Sequence, residues 1–131
     1  MSQTQNNVID LATLDTQASS EAGAELELVH PATGDPLGIY ITLAGSDSGQ
    51  WRKAVADVAT RRGRRKITAD DARRDGIEII ARCTLSWRNV RVDGEDLPCT
   101  LENARKLYER FNWMREQADA FCVDRANFLP A

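Results

Sequence analysis

One stretch, TADDARRDGIEIIARCTLSWRNVRVDGEDLP (residues 68–98), decides most of what this chain can fold into. It holds the densest apolar content in the protein and one of its three tryptophans. Ala72, Gly76, Ile79/Ile80, Cys83 and Trp87 recur at three- and four-residue steps, and Ile77, Ile80, Thr84 and Trp87 form a second row beside them. This spacing predicts a helix over residues 68–87 with an apolar stripe broad enough to touch neighbours on more than one side. Thr68 with Asp71 reads as a capping box. Asp70 and Asp71 place negative charge where the helix dipole favours it. Gly76 inside the helix costs about 1 kcal/mol relative to Ala, which implies that another backbone packs close there. Asp93-Gly94 is a strong turn signal, and Pro98 disfavours a helical residue before it.

The rest of the chain must supply those neighbours. At 131 residues it reads as one domain, with enough length for one stable core. Residues 1–23 are small, polar and acidic and read as a flexible N-terminal segment, with Val8, Ile9, Leu11 and Leu14 as one short apolar patch. Residues 24–131 read as the globular part. Leu26 and Leu28 alternate with Glu25 and Glu27, and Ile39, Ile41 and Leu43 alternate with Tyr40 and Thr42, across a PATGDP loop. That predicts a β-hairpin over 24–43. A lone hairpin is marginal in water, so it must pack on helices or gain another strand; an uncovered edge would be a partner site.

Further helices are predicted at about 48–62, 101–111 and 113–128. Ser46-Asp47-Ser48 caps the first, with Trp51, Val55 and Val58 facing inward, and Gly63 ends it. Thr100 caps the second, whose inner face is Leu101, Ala104, Leu107, Tyr108 and Phe111. Asn112 reads as a break and fresh cap; Met114, Ala118, Phe121, Cys122, Arg125 and Leu129 form the last stripe. Trp113 and Phe128 lie off it, on a second side. The predicted fold is therefore α+β and predominantly helical, a hairpin packed on about four helices.

Charge is unevenly placed. Residues 1–51 hold seven acids and no Lys or Arg, whereas residues 52–74 hold nine basic residues and three acids, within a net charge of -3. RRGRRK (residues 61–66) makes Arg61, Arg62, Arg64 and Arg65 a candidate contact for an acidic partner. The alternatives are a solvated loop, a phosphate-binding patch, or a dock for the acidic N-terminus of a neighbouring copy. Three cysteines without metal-site spacing read as buried or inert thiols. His30, the only histidine, sits beside Pro31 and reads as a turn residue. No glycine-rich phosphate loop is present in GDPLG or GSDSG. These features give no basis for a catalytic site, a metal site or a cofactor. No run approaches the length of a membrane span, and MSQTQNNVID lacks the features of a secretion signal.

The order of features resembles the small tail assembly chaperones of long-tailed bacteriophages. The pieces that carry the resemblance are LELVHPATGDPLGIYITLAGSDS (26–48), TLSWRNVRVDGEDLPCTLENARKLYE (84–109) and WMREQADAFCVDRANFL (113–129). Each is a weak motif alone; their order over about a hundred residues is what resembles the family. RRGRRK and the acidic front are less typical of it. The resemblance implies a non-enzymatic protein of the host cytoplasm that is absent from the finished particle. Its partners would be the tape-measure protein, which it keeps soluble, and the tail-tube subunits, which it recruits. Trp113, Phe121 and Phe128 are then candidate client contacts, together with the hairpin edge; their alternative is ordinary core. Two other readings remain: a structural head–tail joining protein of a phage, and a small nucleic-acid-binding protein using the 61–66 loop. Homo-oligomerisation is compatible with each.

Overall fold

The apolar stripe predicted for residues 68–87 needs neighbours on two sides, and the chain supplies a sheet on one and helices on the other. The computed structural model describes residues 7–130. Its elements are α1 (Gln17–Ala22), β1 (Ala24–Val29), β2 (Pro36–Leu43), α2 (Gly49–Arg62), α3 (Ala69–Cys83), β3 (Thr84–Arg88), β4 (Arg91–Val92), β5 (Glu95–Asp96), α4 (Leu101–Arg110) and α5 (Asn112–Val123). Short 3-10 turns occupy Leu11–Leu14 and Arg125–Phe128. The fold is α+β and helix-rich, as its sequence predicts: five helices and an antiparallel sheet ordered β1-β2-β3.

Capping follows the sequence closely. Thr68 and Asp71 bond reciprocally at the start of α3, through Asp71 N–H to Thr68 Oγ1 at 3.1 Å and Thr68 N–H to Asp71 Oδ2 at 3.2 Å. Ser48 and Thr100 accept the Trp51 and Asn103 amides at the starts of α2 and α4. Gly63 ends α2 at φ 62°. Asp93 and Gly94 both adopt positive φ, 52° and 85°, the combination a two-residue type I′ turn requires, and they join β4 to β5. The last helix differs in detail. Phe111 holds its N-cap position without a side-chain cap, and Asn112 is already helical. The helix also stops at Val123, where Asp124 caps a separate 3-10 turn.

The largest correction concerns residues 84–88. The spacing predicts helix through Trp87, but α3 ends at Cys83 and the next residue opens β3. The open edge of β2 offers a ladder of backbone hydrogen bonds, and this tertiary pairing overrides a three- and four-residue period that both structures satisfy. Leu26, Ile41 and Trp87 thereby align across the three strands on the core face. On the opposite face, Arg88 lies 3.7 Å over the Tyr40 ring and pairs with Glu25 at 3.1 Å. The Trp87 indole N–H donates to Leu97 O at 2.7 Å.

The hairpin takes both routes the sequence allows, gaining a strand and packing on a helix, with β1 left as the outer strand of the sheet. β3 covers β2, and α5 approaches β1, where the Gln117 side-chain amide accepts from Val29 N–H at 3.0 Å and donates to Val29 O at 2.9 Å. Leu28, Ile41 and Leu43 from the sheet meet Ile77 and Ile80 of α3, Leu107 and Tyr108 of α4, and Met114 and Ala118 of α5 in one core.

The front segment is also corrected. Residues 1–6 lie outside the described residues, as does Ala131, but α1 is docked. Ser20 is 1% exposed, and its carbonyl accepts the Gly45 N–H at 3.0 Å. Thr16 donates to Asp47 at 2.6 Å, and the Gln50 amide to Glu21 O at 3.0 Å. Small polar residues make this contact, so no apolar period announces it. The close approach assigned to Gly76 falls elsewhere: a Cβ at Gly76 would meet nothing within 4 Å, whereas one at Gly45 would lie 2.6 Å from Ser20 Oγ and 2.9 Å from the Phe128 ring. Gly76→Ala should therefore stabilise the protein by about 0.5–1 kcal/mol, and Gly45→Ala should destabilise it by about 1–3 kcal/mol. Urea midpoints that move together would contradict this assignment.

Candidate partner-binding surfaces

A helix that carries a buried acid must bring cations to it, because an unpaired buried charge is strongly destabilising. Glu78 faces inward on α3 and is 8% exposed. Arg105 of α4 grips both its oxygens at 2.7 and 2.8 Å, and Arg82 adds a third bond at 2.7 Å. Arg82 continues to Asp57 of α2 at 2.6 Å, which Lys53 also meets at 3.1 Å. Three helices are thus joined by one chain of charges. The Arg105 guanidinium, with help from Arg82, holds the Glu78 carboxyl down at about 2 against the upward push of burial. Arg125 and Thr16 likewise hold Asp47 at about 2.

On one side of this network lies a groove of about 450 Å³ between α2, the α3–β3 junction and the start of α4. Ala54, Ala81, Leu85, Cys99 and Leu101 give it an apolar surface; among the described residues Lys53 and Arg82 are its charged residues and no carboxylate lines it. Leu85 and Leu101 remain 40% and 42% exposed. On the other side lies a cleft of about 530 Å³, where Arg61, Arg65, Arg74 and Arg105 stand among Asp71, Asp75, Glu78 and Glu109. Its mixed charge suits a phosphate backbone less well than the run RRGRRK suggests.

The four candidate arginines separate. Arg62 is half-buried and pairs with Asp75 of α3, so it joins α2 to α3 rather than presenting charge. Arg61, Arg64 and Arg65 are exposed, and none forms an ion pair among the described residues; Arg65 Nε donates to Arg62 O at 3.3 Å. The aromatic candidates separate too. Phe128 is 2% exposed, packed edge-on against Phe121 at 5.6 Å, and is withdrawn as a contact: it fills the space under Gly45. Trp113 and Phe121 are half-buried on either side of Gln117, the residue that binds β1, and Trp113 meets Phe111 edge-on at 6.4 Å. The structure does not bring them together with the basic loop into one site.

His30 is an exposed turn residue whose Nδ1 accepts the Ala32 and Thr33 amides at 3.1 and 3.3 Å. Cys83 and Cys122 are buried, and burial pushes the Cys83 thiol up to about 12; Cys99 is half-buried at the groove. Among the described residues no helix is long and apolar enough to cross a membrane. No protein-family model, no curated protein and no solved structure matches the chain.

The groove is the surface that sequence reasoning missed. Its residues come from three separated segments, and Leu85 falls within the predicted helix rather than on a strand. The readable signal was Leu101, an apolar residue next to a cap.

Because Glu78 is held below its ordinary value, its contribution to stability is complete above about pH 5 and is lost as pH falls from about 4.5 toward 2. Glu78→Gln should lower stability at neutral pH by about 1–3 kcal/mol and flatten the decline between pH 5 and 2. Chemical denaturation at several pH values checks both; an unchanged acid limb would show that Glu78 does not carry it.

Proposed function

We propose that this chain is a non-enzymatic tail assembly chaperone of a long-tailed phage. It binds the tape-measure protein, keeps it soluble and recruits tail-tube subunits, acting in the host cytoplasm and leaving before the particle is complete. The observation that carries the reading is the open groove between Leu85 and Leu101. A long apolar helical client needs an apolar trough with a polar rim, into which it lays one face of its helix. The groove has apolar walls, Lys53 and Arg82 at its border and, among the described residues, no carboxylate in its lining. The motif order behind the family resemblance supports the same reading. PATGDP lies at the hairpin loop, Ser48 at the α2 cap, Asp93-Gly94 at the β4–β5 turn and Thr100 at the α4 cap. Trp113 and Phe121 are secondary contacts in this scheme.

Co-expression with the tape-measure protein of the same phage tests it. The tape-measure protein should be insoluble alone and soluble with the wild-type chain. Leu101→Glu should abolish that rescue while leaving the fold intact, because a carboxylate at the first position of α4 agrees with the helix dipole. A tape-measure protein that stays insoluble beside the wild-type chain would overturn the proposal. Recovery of the chain from purified particles would favour a head–tail joining protein.

A further inference from the structure

Four large apolar side chains precede α1 and are left uncovered: Val8, Ile9, Leu11 and Leu14 are 75%, 65%, 79% and 52% exposed. Burying a single side chain of this kind is worth about 1.5–3 kcal/mol, so leaving four in water is a large forfeited gain. The segment is not shapeless. Asp10 accepts the Ala12 N–H at 3.0 Å and caps the turn Leu11–Leu14, and Asp15 accepts the Gln17 N–H at 2.9 Å. Its base is pinned, because Thr16 bonds Asp47, which Arg125 also grips at 2.7 and 3.0 Å. The result is a projecting arm that is apolar and acidic, and no Lys or Arg precedes residue 52.

The groove beside Leu85 and Leu101 has the complementary character. It is apolar, bordered by Lys53 and Arg82, and lined by no carboxylate among the described residues. In the charge chain behind it, Lys53 and Arg82 share Asp57, and Arg82 also shares Glu78 with Arg105, which faces the other cleft. Lys53 is 76% exposed, and its pairing with Asp57 is a surface contact that an incoming carboxylate can share. Within one copy the two surfaces do not meet. The arm leaves the start of α1 at Asp47, whereas the end of α1 abuts the groove: a Cβ at Gly23 would lie 2.8 Å from Leu85. Every copy carries one arm and one groove, so exchange between two copies satisfies both.

We infer that residues 8–15 of one copy occupy the Leu85–Leu101 groove of a second copy, so that the protein associates with itself through exchanged arms. The groove is then filled until a client displaces the arm. This competition rests on the proposed function, whereas the self-association is tested with no client present.

Sedimentation velocity over a concentration series reads it. The wild-type chain should dimerise. Leu11→Ser/Leu14→Ser and, separately, Leu101→Glu should each weaken association by about tenfold or more. Neither change removes a buried side chain, so circular dichroism and the melting midpoint should hold. An equal mixture of the two variants should regain association, since one intact arm then meets one intact groove. Oxidation of Leu11→Cys should give a disulfide-linked dimer that disappears with Cys99→Ser. A wild-type chain that is monomeric throughout would overturn the inference. So would a dimer indifferent to both variants, or a disulfide closed within one chain. If the exchange behaves as stated while the tape-measure protein is not rescued, the arm–groove contact stands and the proposed function fails.

Discussion

A helix that becomes a strand without a connecting loop cannot turn independently of the sheet it enters, and this constraint sits at Cys83 and Thr84. Thr84 is the joint. Its hydroxyl meets the Ile80 carbonyl at 2.9 Å and the Tyr108 hydroxyl at 2.7 Å, while its backbone pairs opposite Leu43. Tyr108 is fully buried in α4, so sheet, α3 and α4 are fixed to one another through a single residue. A buried hydroxyl without a partner costs about 1–3 kcal/mol, so the Thr84–Tyr108 contact is specific as well as favourable. The same joint shapes the groove: Ala81 lies just before it, and Leu85 just after it, on the groove wall.

The charge chain from Lys53 to Arg105 is the second fastening, and it acts at the surface where the joint acts in the core. It spans α2, α3 and α4 and separates a charged cleft from an apolar groove. A buried ion pair is weak evidence for net stability, because desolvation offsets most of the attraction. Its visible effect is on placement. Arg82 and Arg105 are both drawn to Glu78, which holds Arg82 at the edge of the groove and Arg105 in the charged cleft on the other side. Loop charge that a linear reading would assign to a partner is partly consumed in the same way, since Arg62 is spent on Asp75.

Much of the fold was legible because it is written locally. Thr68 with Asp71, Ser48, Thr100, Gly63 and Asp93-Gly94 each act within a few residues, and each appears where the sequence places it. The alternation around Ile41 identified the hairpin for the same reason. What failed depended on distant partners. Trp87 fits a helical period and a strand equally well, and only the free edge of β2 decides between them. Ser20 and Gly45 meet across the chain with no apolar signal, which hid the docking of α1 and the burial of Phe128. The groove was illegible because Ala54, Leu85 and Leu101 come together only once the Thr84 joint has formed.

The most direct test of the account is amide hydrogen exchange on the Leu11→Ser/Leu14→Ser chain, whose groove no arm fills, alone and bound to the tape-measure protein. Binding in the groove predicts added protection at residues 84–87 and 98–104, with residues 61–66 unchanged. Protection confined to 61–66, or to the α5 surface around Trp113 and Phe121, would contradict the assignment of the groove as the client site.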